Sequence, residues 1–333
     1  MTDVSWSRCG DRECIRLKGL ASDARVQVRP QMAEGIVGLP DMAGHIVRDV
    51  DDMCFVPRFA FVAGTRYLVV VNGAAEAELE RPRAVHPSTT EVVDIRPTAS
   101  EVPRNLLRLY IRFSAPMAEG HAASHVRFLD DSGETMDGVL LRTEHELWDT
   151  ARRRLTILLD PARIKRGLLP HRQTGYPLRS GASFRVAVDE GFRDSRGIAL
   201  RVAAERRYRV GEDQRGRVEP HRWVLQLPSA GTREPLEVSF DRPLDHGLLC
   251  RCVEVIGPDR RRVAAIPEIG PEERSWRLTP SEEWVGGSHH LVVNPVLEDL
   301  AGNSVSRVFD RDLSRVEDAP RSDKLVTVAF RPS

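Results

Sequence analysis

Lysine is nearly missing from this 333-residue chain: 3 of its 49 basic residues are lysine, and 49 acidic residues bring the formal charge to zero. A chain without a net field has no global attraction to nucleic acid or anionic lipid, so no nucleic-acid partner is expected. The excess of arginine over lysine reads as a surface preference rather than as a phosphate site. Cysteine is also scarce. Cys9, Cys14, Cys54, Cys250 and Cys252 are odd in number and contain no C-x-x-C pair, which excludes a disulfide framework. Buried thiols are the plain reading, with Cys9 and Cys14 the pair to test for a disulfide. No apolar run approaches the ~20 residues of a membrane span. The first ten residues carry no apolar core of a signal peptide as the chain stands. Neither a Gly-x-Ser-x-Gly elbow, a phosphate-binding Walker loop nor a dinucleotide fingerprint is present, so no cofactor and no enzymatic activity are expected.

What the chain does contain is alternation. Leu107, Leu109, Ile111 and Phe113 fall two apart with Arg108, Tyr110 and Arg112 between them, and Leu236, Val238 and Phe240 repeat the pattern. That is the period of a strand buried on one face. Further strands are expected at 126–129, 154–159, 183–188, 207–210, 252–256, 276–278, 290–294 and 307–310. Between them, Asp130-Asp-Ser-Gly133 and Gly257-Pro-Asp259 supply turn chemistry. Short strands with turn signals at this spacing predict an all-β sandwich.

Two stretches carry the same signals in the same order, which predicts a tandem array. Phe113-Ser-Ala-Pro116 and Phe240-Asp-Arg-Pro243 each begin a series that runs through a Gly-led strand, at Gly181 or Gly287, to an Asp turn at Asp194 or Asp299. The middle copy is longer, mostly through residues 160–178. There a helical turn from Pro161 to Gly167, capped by Asp160, is expected. A weaker third copy lies at 53–71. Boundaries near residue 90, beside Pro87, and near residue 217 give units of 1–90, 91–213 and 214–333, joined by linkers short enough for a semi-rigid string.

Phe113-Ser-Ala-Pro-Met117 together with Asp299-Leu-Ala-Gly-Asn303 resembles the bacterial Ig-like domain family of the SbsA type. The resemblance covers about residues 92–312 as two modules and implies tandem Ig-like β-sandwiches of the cell envelope. It implies a structural, adhesive or scaffolding role without catalysis. The middle copy lacks the Asn of the turn and the last copy lacks the Met, departures that leave the implied fold intact. Export is implied by the family, against the leaderless start of this chain.

Candidate sites are few. Asp299 and Asn303, helped by Glu298 and Asp310, offer oxygen ligands for calcium, against the plainer reading that Asp299 holds turn amides. His145-Glu146 begins a zinc-protease pattern, but residue 149 is Asp149 rather than His, so the pattern fails. Glu144, Glu146 and Asp149 are expected as a charged strand edge, and His289 and His290 as a solvated pair on opposite faces. Trp148, Trp223, Trp276 and Trp284 are expected mainly as core plugs, with Trp284 the one most exposed and so the candidate for stacking on a sugar ring. The insertion carries Arg163, Lys165 and Arg166, with His171 and Arg172, as a contact surface for an anionic protein patch or cell-wall polymer. The expected protein is a monomer. The competing classes are a carbohydrate- or cell-wall-binding accessory and, behind it, a hydrolase with its site between modules.

Overall fold

The computed structural model describes residues 3–21, 23–31, 40–48, 52–82, 88–141 and 145–333. Pro87 of the first boundary and Glu144 of the acidic cluster lie outside the described residues. The chain is all-β, built of tandem Ig-like sandwiches, with three hydrophobic cores in succession and each core between two sheets. Among the described residues no helix is long and apolar enough to cross a membrane.

The first core is built from β1 (Asp3–Cys9), β2 (Arg12–Lys18), β3 (Val26–Gln31), β4 (Gly44–Arg48), β5 (Asp52–Pro57), β6 (Arg66–Val71) and β7 (Ala74–Glu80). Its sheets run in the orders β1-β2-β5-β4 and β3-β6-β7. They close over Ile15, Leu17, Met53, Phe55, Phe61 and Tyr67. The Tyr67 hydroxyl, buried in that core, accepts from the Val62 amide at 2.7 Å, which removes the cost of an unpaired polar group there.

The second core uses β8 (Val92–Arg96), β9 (Glu101–Pro103), β10 (Arg108–Phe113), α1 (Ala122–His125), β11 (Val126–Leu129), β12 (Leu147–Trp148) and β13 (Arg154–Leu158). It continues through α2 (Pro161–Ile164), α3 (Leu169–Thr174), β14 (Ser183–Val188) and β15 (Ala204–Gly211). The sheets are β12-β13-β10-β8 and β11-β14-β15-β9, antiparallel except that β15 pairs β9 in parallel. The alternation in β10 is the reason for its placement. Leu109, Ile111 and Phe113 enter the core, with Leu109 facing Ile157 and Ile111 facing Leu155 across the ladder. Each such side chain contributes about 1.5–3 kcal/mol by leaving water. Tyr110 departs from the simple pattern, being buried on the opposite face because the third sandwich packs there.

The third core repeats the plan with β16 (Val224–Gln226), β17 (Leu236–Ser239), α4 (His246–Cys252), β18 (Val253–Ile256), β19 (Ala265–Ile269), β20 (Ser275–Pro280), β21 (His289–Val293) and β22 (Val326–Phe330). Its sheets are β16-β17-β20-β19 and β18-β21-β22. Leu236 and Val238 of β17 face Leu278 and Trp276 of β20, matching the β10–β13 ladder.

Several local expectations are corrected. Residues 307–310 form no strand, and the last strand is β22, reached after a further 15 residues that include a 3-10 turn at Val316–Asp318. Cys252 closes α4 instead of opening β18. In the insertion Asp160 does cap a helical turn, accepting from the Ala162 amide at 2.9 Å, but α2 ends at Ile164 and a second helix, α3, follows and ends at Gly175 with φ 71°.

Candidate functional site: the seams between sandwiches

The repeated motif builds the same backbone device twice. In the second sandwich Phe113 and Met117 donate to the carbonyls of Arg153 and Arg152 at 2.8 and 2.9 Å. In the third, Phe240 and Leu244 donate to Arg274 and Glu273 at 2.8 and 3.0 Å. Arg152 and Glu273 therefore hold the same position, and both lie in the left-handed region, with φ 52° and 53°. The Asp turns match as closely. Asp194 Oδ1 accepts from the amides of Arg196 and Ile198, and Asp299 Oδ1 from those of Ala301 and Asn303. Gly197 and Gly302, at φ 81° and 80°, make the bend that an L side chain disfavours.

Both devices face the preceding sandwich. A Cβ on Gly197 would lie 2.1 Å from the Ala63 carbonyl oxygen, and one on Gly302 would lie 2.5 Å from Leu107 Cδ2. At the first seam Arg152, which is 9% exposed, places its guanidinium 4.4 Å from the centre of the Phe59 ring. Burial lowers the Arg152 pKa from its ordinary value and nearby Glu119 opposes that shift. Glu119 lines a cavity of about 20 Å³ with Pro30, Asp41, Met42 and Glu146. Burial, then the Glu146 carboxylate, raise Glu119 to about 7 against the pull of Arg152 and Arg58.

At the second seam the equivalent residue is an acid. Glu273 has no exposed surface and accepts from Arg96 Nη1 at 3.0 Å, the Thr98 amide at 2.7 Å, the Thr98 hydroxyl at 3.0 Å and the Ala99 amide at 3.3 Å. A buried charge is tolerated when its lone pairs are this fully used. Beside it, buried Asp245 accepts from the Tyr110 hydroxyl at 2.8 and 2.9 Å and from the Leu248 amide at 2.9 Å, capping α4, with Arg108 Nε at 3.3 Å. Burial and that carboxylate push the Tyr110 pKa far up, so the hydroxyl stays a donor. Leu107 donates to the Leu300 carbonyl at 2.9 Å, joining the two backbones directly.

The residues expected to bind ligands serve this seam. Asp299 is buried; besides its turn amides it accepts from Arg242 Nη1 at 3.3 Å and from the Asn303 amide group at 3.0 Å. Burial raises it to about 6, against the pull of Asn303 and Arg242. Asn303 also donates to the Gln214 carbonyl at 3.0 Å, the same oxygen that accepts from Asn105 at 2.7 Å, so one linker residue is tied to both sandwiches. The described residues hold no cluster of three or more metal-ligating side chains. Asp310 pairs with Arg166 at 2.8 Å and Arg215 at 3.1 Å. In the insertion, Arg163 donates to the carbonyls of Gly138 and Tyr176 at 2.7 and 2.8 Å. Lys165 lies 4.7 Å from the centre of the Phe309 ring. Lys165 and Arg166 thus hold the inserted loop against Phe309 and Asp310, while Arg163 ties it back within the second sandwich.

Three further expectations are corrected. Trp284 is 3% exposed, because its ring packs on His289 and Phe330 and its N–H donates to the Glu234 carbonyl at 2.7 Å. His289 is not solvated, being stacked on Phe330 inside the third core. Glu146 is no open strand edge, since it accepts from the Ala122 amide and the Trp148 N–H, both at 2.6 Å. The role of Glu273 was hidden in the sequence, where Glu272-Glu273 looks like ordinary surface. Its alignment with Arg152 appears only through the shared hydrogen bonds.

No family model matches the chain, and no curated protein matches it. Among solved structures, the FN1–FN3 domains of chicken CNTN1 are 11% identical, with 98% of each chain covered and a TM-score of 0.20. An I-band fragment of titin is 8% identical over 88% of this chain and 92% of that one, at 0.20. Domains MG0-NIE-MG1 of native alpha-2-macroglobulin from Escherichia coli are 12% identical over 73% and 90%, at 0.25. Similarity this low says nothing of partners or activity, and the architecture rests on the strands and cores described above.

Proposed function

We propose that the chain is a non-enzymatic spacer of three sandwiches, 1–90, 91–213 and 214–333, stacked end to end as a semi-rigid monomeric rod with a structural, adhesive or scaffolding role. The observation that carries this reading is the reuse of one docking device: the left-handed residue and the Asp turn of the second and third sandwiches each contact the sandwich before them. A chain that holds its units in fixed relation serves to position what lies at its ends. The motifs shared with the SbsA-type family support a bacterial, envelope-associated setting. The insertion remains the place for a protein or cell-wall partner, through its exposed tip at Leu168, Leu169 and Arg172 and the outer part of Arg166, because Arg163 and Lys165 are engaged within the chain.

Small-angle scattering tests the rod. An elongated profile of one chain, unchanged between low salt and 0.5 M salt, is expected, since the seams are packed and buried rather than held by exposed charge. A profile that needs freely swinging units to fit it contradicts the reading. Binding to isolated cell-wall polymer that vanishes with Arg166→Ala and Arg172→Ala together would place the partner on the insertion tip.

A further inference from the structure

The sheet β18-β21-β22 ends in an uncovered strand edge. Asn294 donates to the Cys252 carbonyl at 2.8 Å, so His290 and Val292 turn their backbone groups to β18 and Leu291 and Val293 turn theirs to β22. Those two face Val328 and Val326, which leaves Thr327 and Ala329 with N–H and C=O aimed out of the sheet. Both are exposed, and among the described residues no hydrogen-bond partner meets their backbone on that side. Residues 228–230 cover only the far end of the edge, where Ser333 donates to the Pro228 carbonyl at 3.0 Å and Ala230 to the Ser333 carbonyl at 2.8 Å. At the start of β22 lies a cavity of about 520 Å³, within the ~300–1,000 Å³ of ligand clefts. Buried Val218 and Val305 and half-buried Val326 line it, facing the 3-10 turn at Pro220–Arg222. The rest of the lining is basic, with His221, Arg222, Arg321 and Lys324 against one acid, Glu219. Glu219 lies 2.6 Å from Arg222 and 3.7 Å from Arg321, and among the described residues no carboxylate pairs with Lys324. Asp323 is next to Lys324 in the chain and does not line the cavity. In a chain of zero net charge, this cavity keeps a positive surplus.

We propose that this edge and the cavity at its start form a docking site for an extended acidic segment of another protein, which adds to β22 as the fourth strand of the sheet. The outward N–H and C=O groups of Thr327 and Ala329 supply main-chain pairing, the source of affinity in strand addition. Side chains of the added strand alternate in direction, so apolar residues can enter the cavity over Val218 and Val305 while the carboxylates between them stay at its basic rim. Arg321 and Lys324 meet those carboxylates from the β22 side, and His221 and Arg222 from the 3-10 turn. The charge sets the choice of occupant. A second copy of the chain, paired β22 to β22, would bring two sets of the same cations together, and like charges across an interface select against that partner. A polysaccharide polyanion would satisfy the rim and leave the strand edge unused.

The probe is a fluorescein-labelled peptide of alternating glutamate and valine, titrated with the full chain and followed by fluorescence anisotropy. Saturable binding is expected, and hydrogen exchange of the Thr327 and Ala329 amides should slow in the complex. Arg321→Glu with Lys324→Glu should weaken binding roughly tenfold, since rim charges set the choice of partner. Thr327→Pro removes an N–H that the fold does not use, so it should leave the melting temperature near that of the wild type and abolish binding. A peptide of the same sequence, methylated on alternate backbone nitrogens so that it cannot pair as a strand, should not bind, and this control is independent of any change to the protein. No binding of the plain peptide at concentrations up to about 1 mM overturns the assignment. So does binding that survives backbone methylation or leaves the Thr327 and Ala329 amides exchanging as before, because the rim would then be attracting negative charge alone. Displacement by the anionic polysaccharide alginate as effective as by unlabelled peptide would overturn it for the same reason.

Discussion

The two seams use one backbone device and fill it with opposite chemistry. At the first, a cation, Arg152, lies over Phe59 and the Gly197 bend presses on the Ala63 backbone. At the second, an anion, Glu273, is held by four donors from the preceding sandwich, and the linker residue Gln214 is tied to both sides. Position and φ are set by the fold, so the side chain is free to change sign. What it must keep is a partner, because a buried charge left alone is costly. The first seam is mostly packing and one cation–π contact; the second is a network whose members depend on one another.

The largest effect is expected from Glu273→Ala. It strips the acceptor from Arg96, Thr98 and Ala99 at once and should cost about 3–5 kcal/mol in urea unfolding of the second and third sandwiches. Gly197→Ala comes next. Its added carbon meets backbone at 2.1 Å in a conformation Ala dislikes, so about 2–4 kcal/mol is expected, with the first sandwich loosened in solution scattering. Gly302→Ala should cost less than Gly197→Ala, because the atom it meets is the end of the Leu107 side chain, which can move. Arg152→Ala should remove about 1–2 kcal/mol, and Arg152→Lys less.

The smallest effect is a pH dependence at the first seam. Glu119 lies at about 7, above its ordinary 4.5, so the folded protein holds that proton more tightly than the unfolded chain does. The stability this gives is fully present below about pH 4.5 and is lost as pH rises through about 7. After discounting for its partial exposure, roughly 1 kcal/mol should be lost between pH 5 and 8. Melting curves that monitor the first sandwich should show it, and Glu119→Gln should flatten them.

The sandwich class was readable because its cause is local. Leu109, Ile111 and Phe113 alternate, and so do Leu236 and Val238, and that period has one structural meaning. The Asp turns were readable for the same reason, since Asp299 and Gly302 act within five residues. The seams were not. Nothing near Glu273 in sequence marks it as buried, because its donors lie about 175 positions earlier. Trp284 and His289 were misplaced for a related reason: the strand that covers them, β22, is separated from the expected last strand by a segment with no periodic pattern. The basic residues of the insertion looked like a surface for a partner, and Lys165 and Arg166 meet Phe309 and Asp310 of the same chain.

Differential scanning calorimetry of the wild-type chain and of Glu273→Ala tests the contrast between the seams most directly. The wild type should unfold in two transitions, the first sandwich alone and then the second and third together. Glu273→Ala should split the second transition into two, and Arg152→Ala should leave the number unchanged. Three separate transitions in the wild type, or a Glu273→Ala trace that overlays it, would contradict the account.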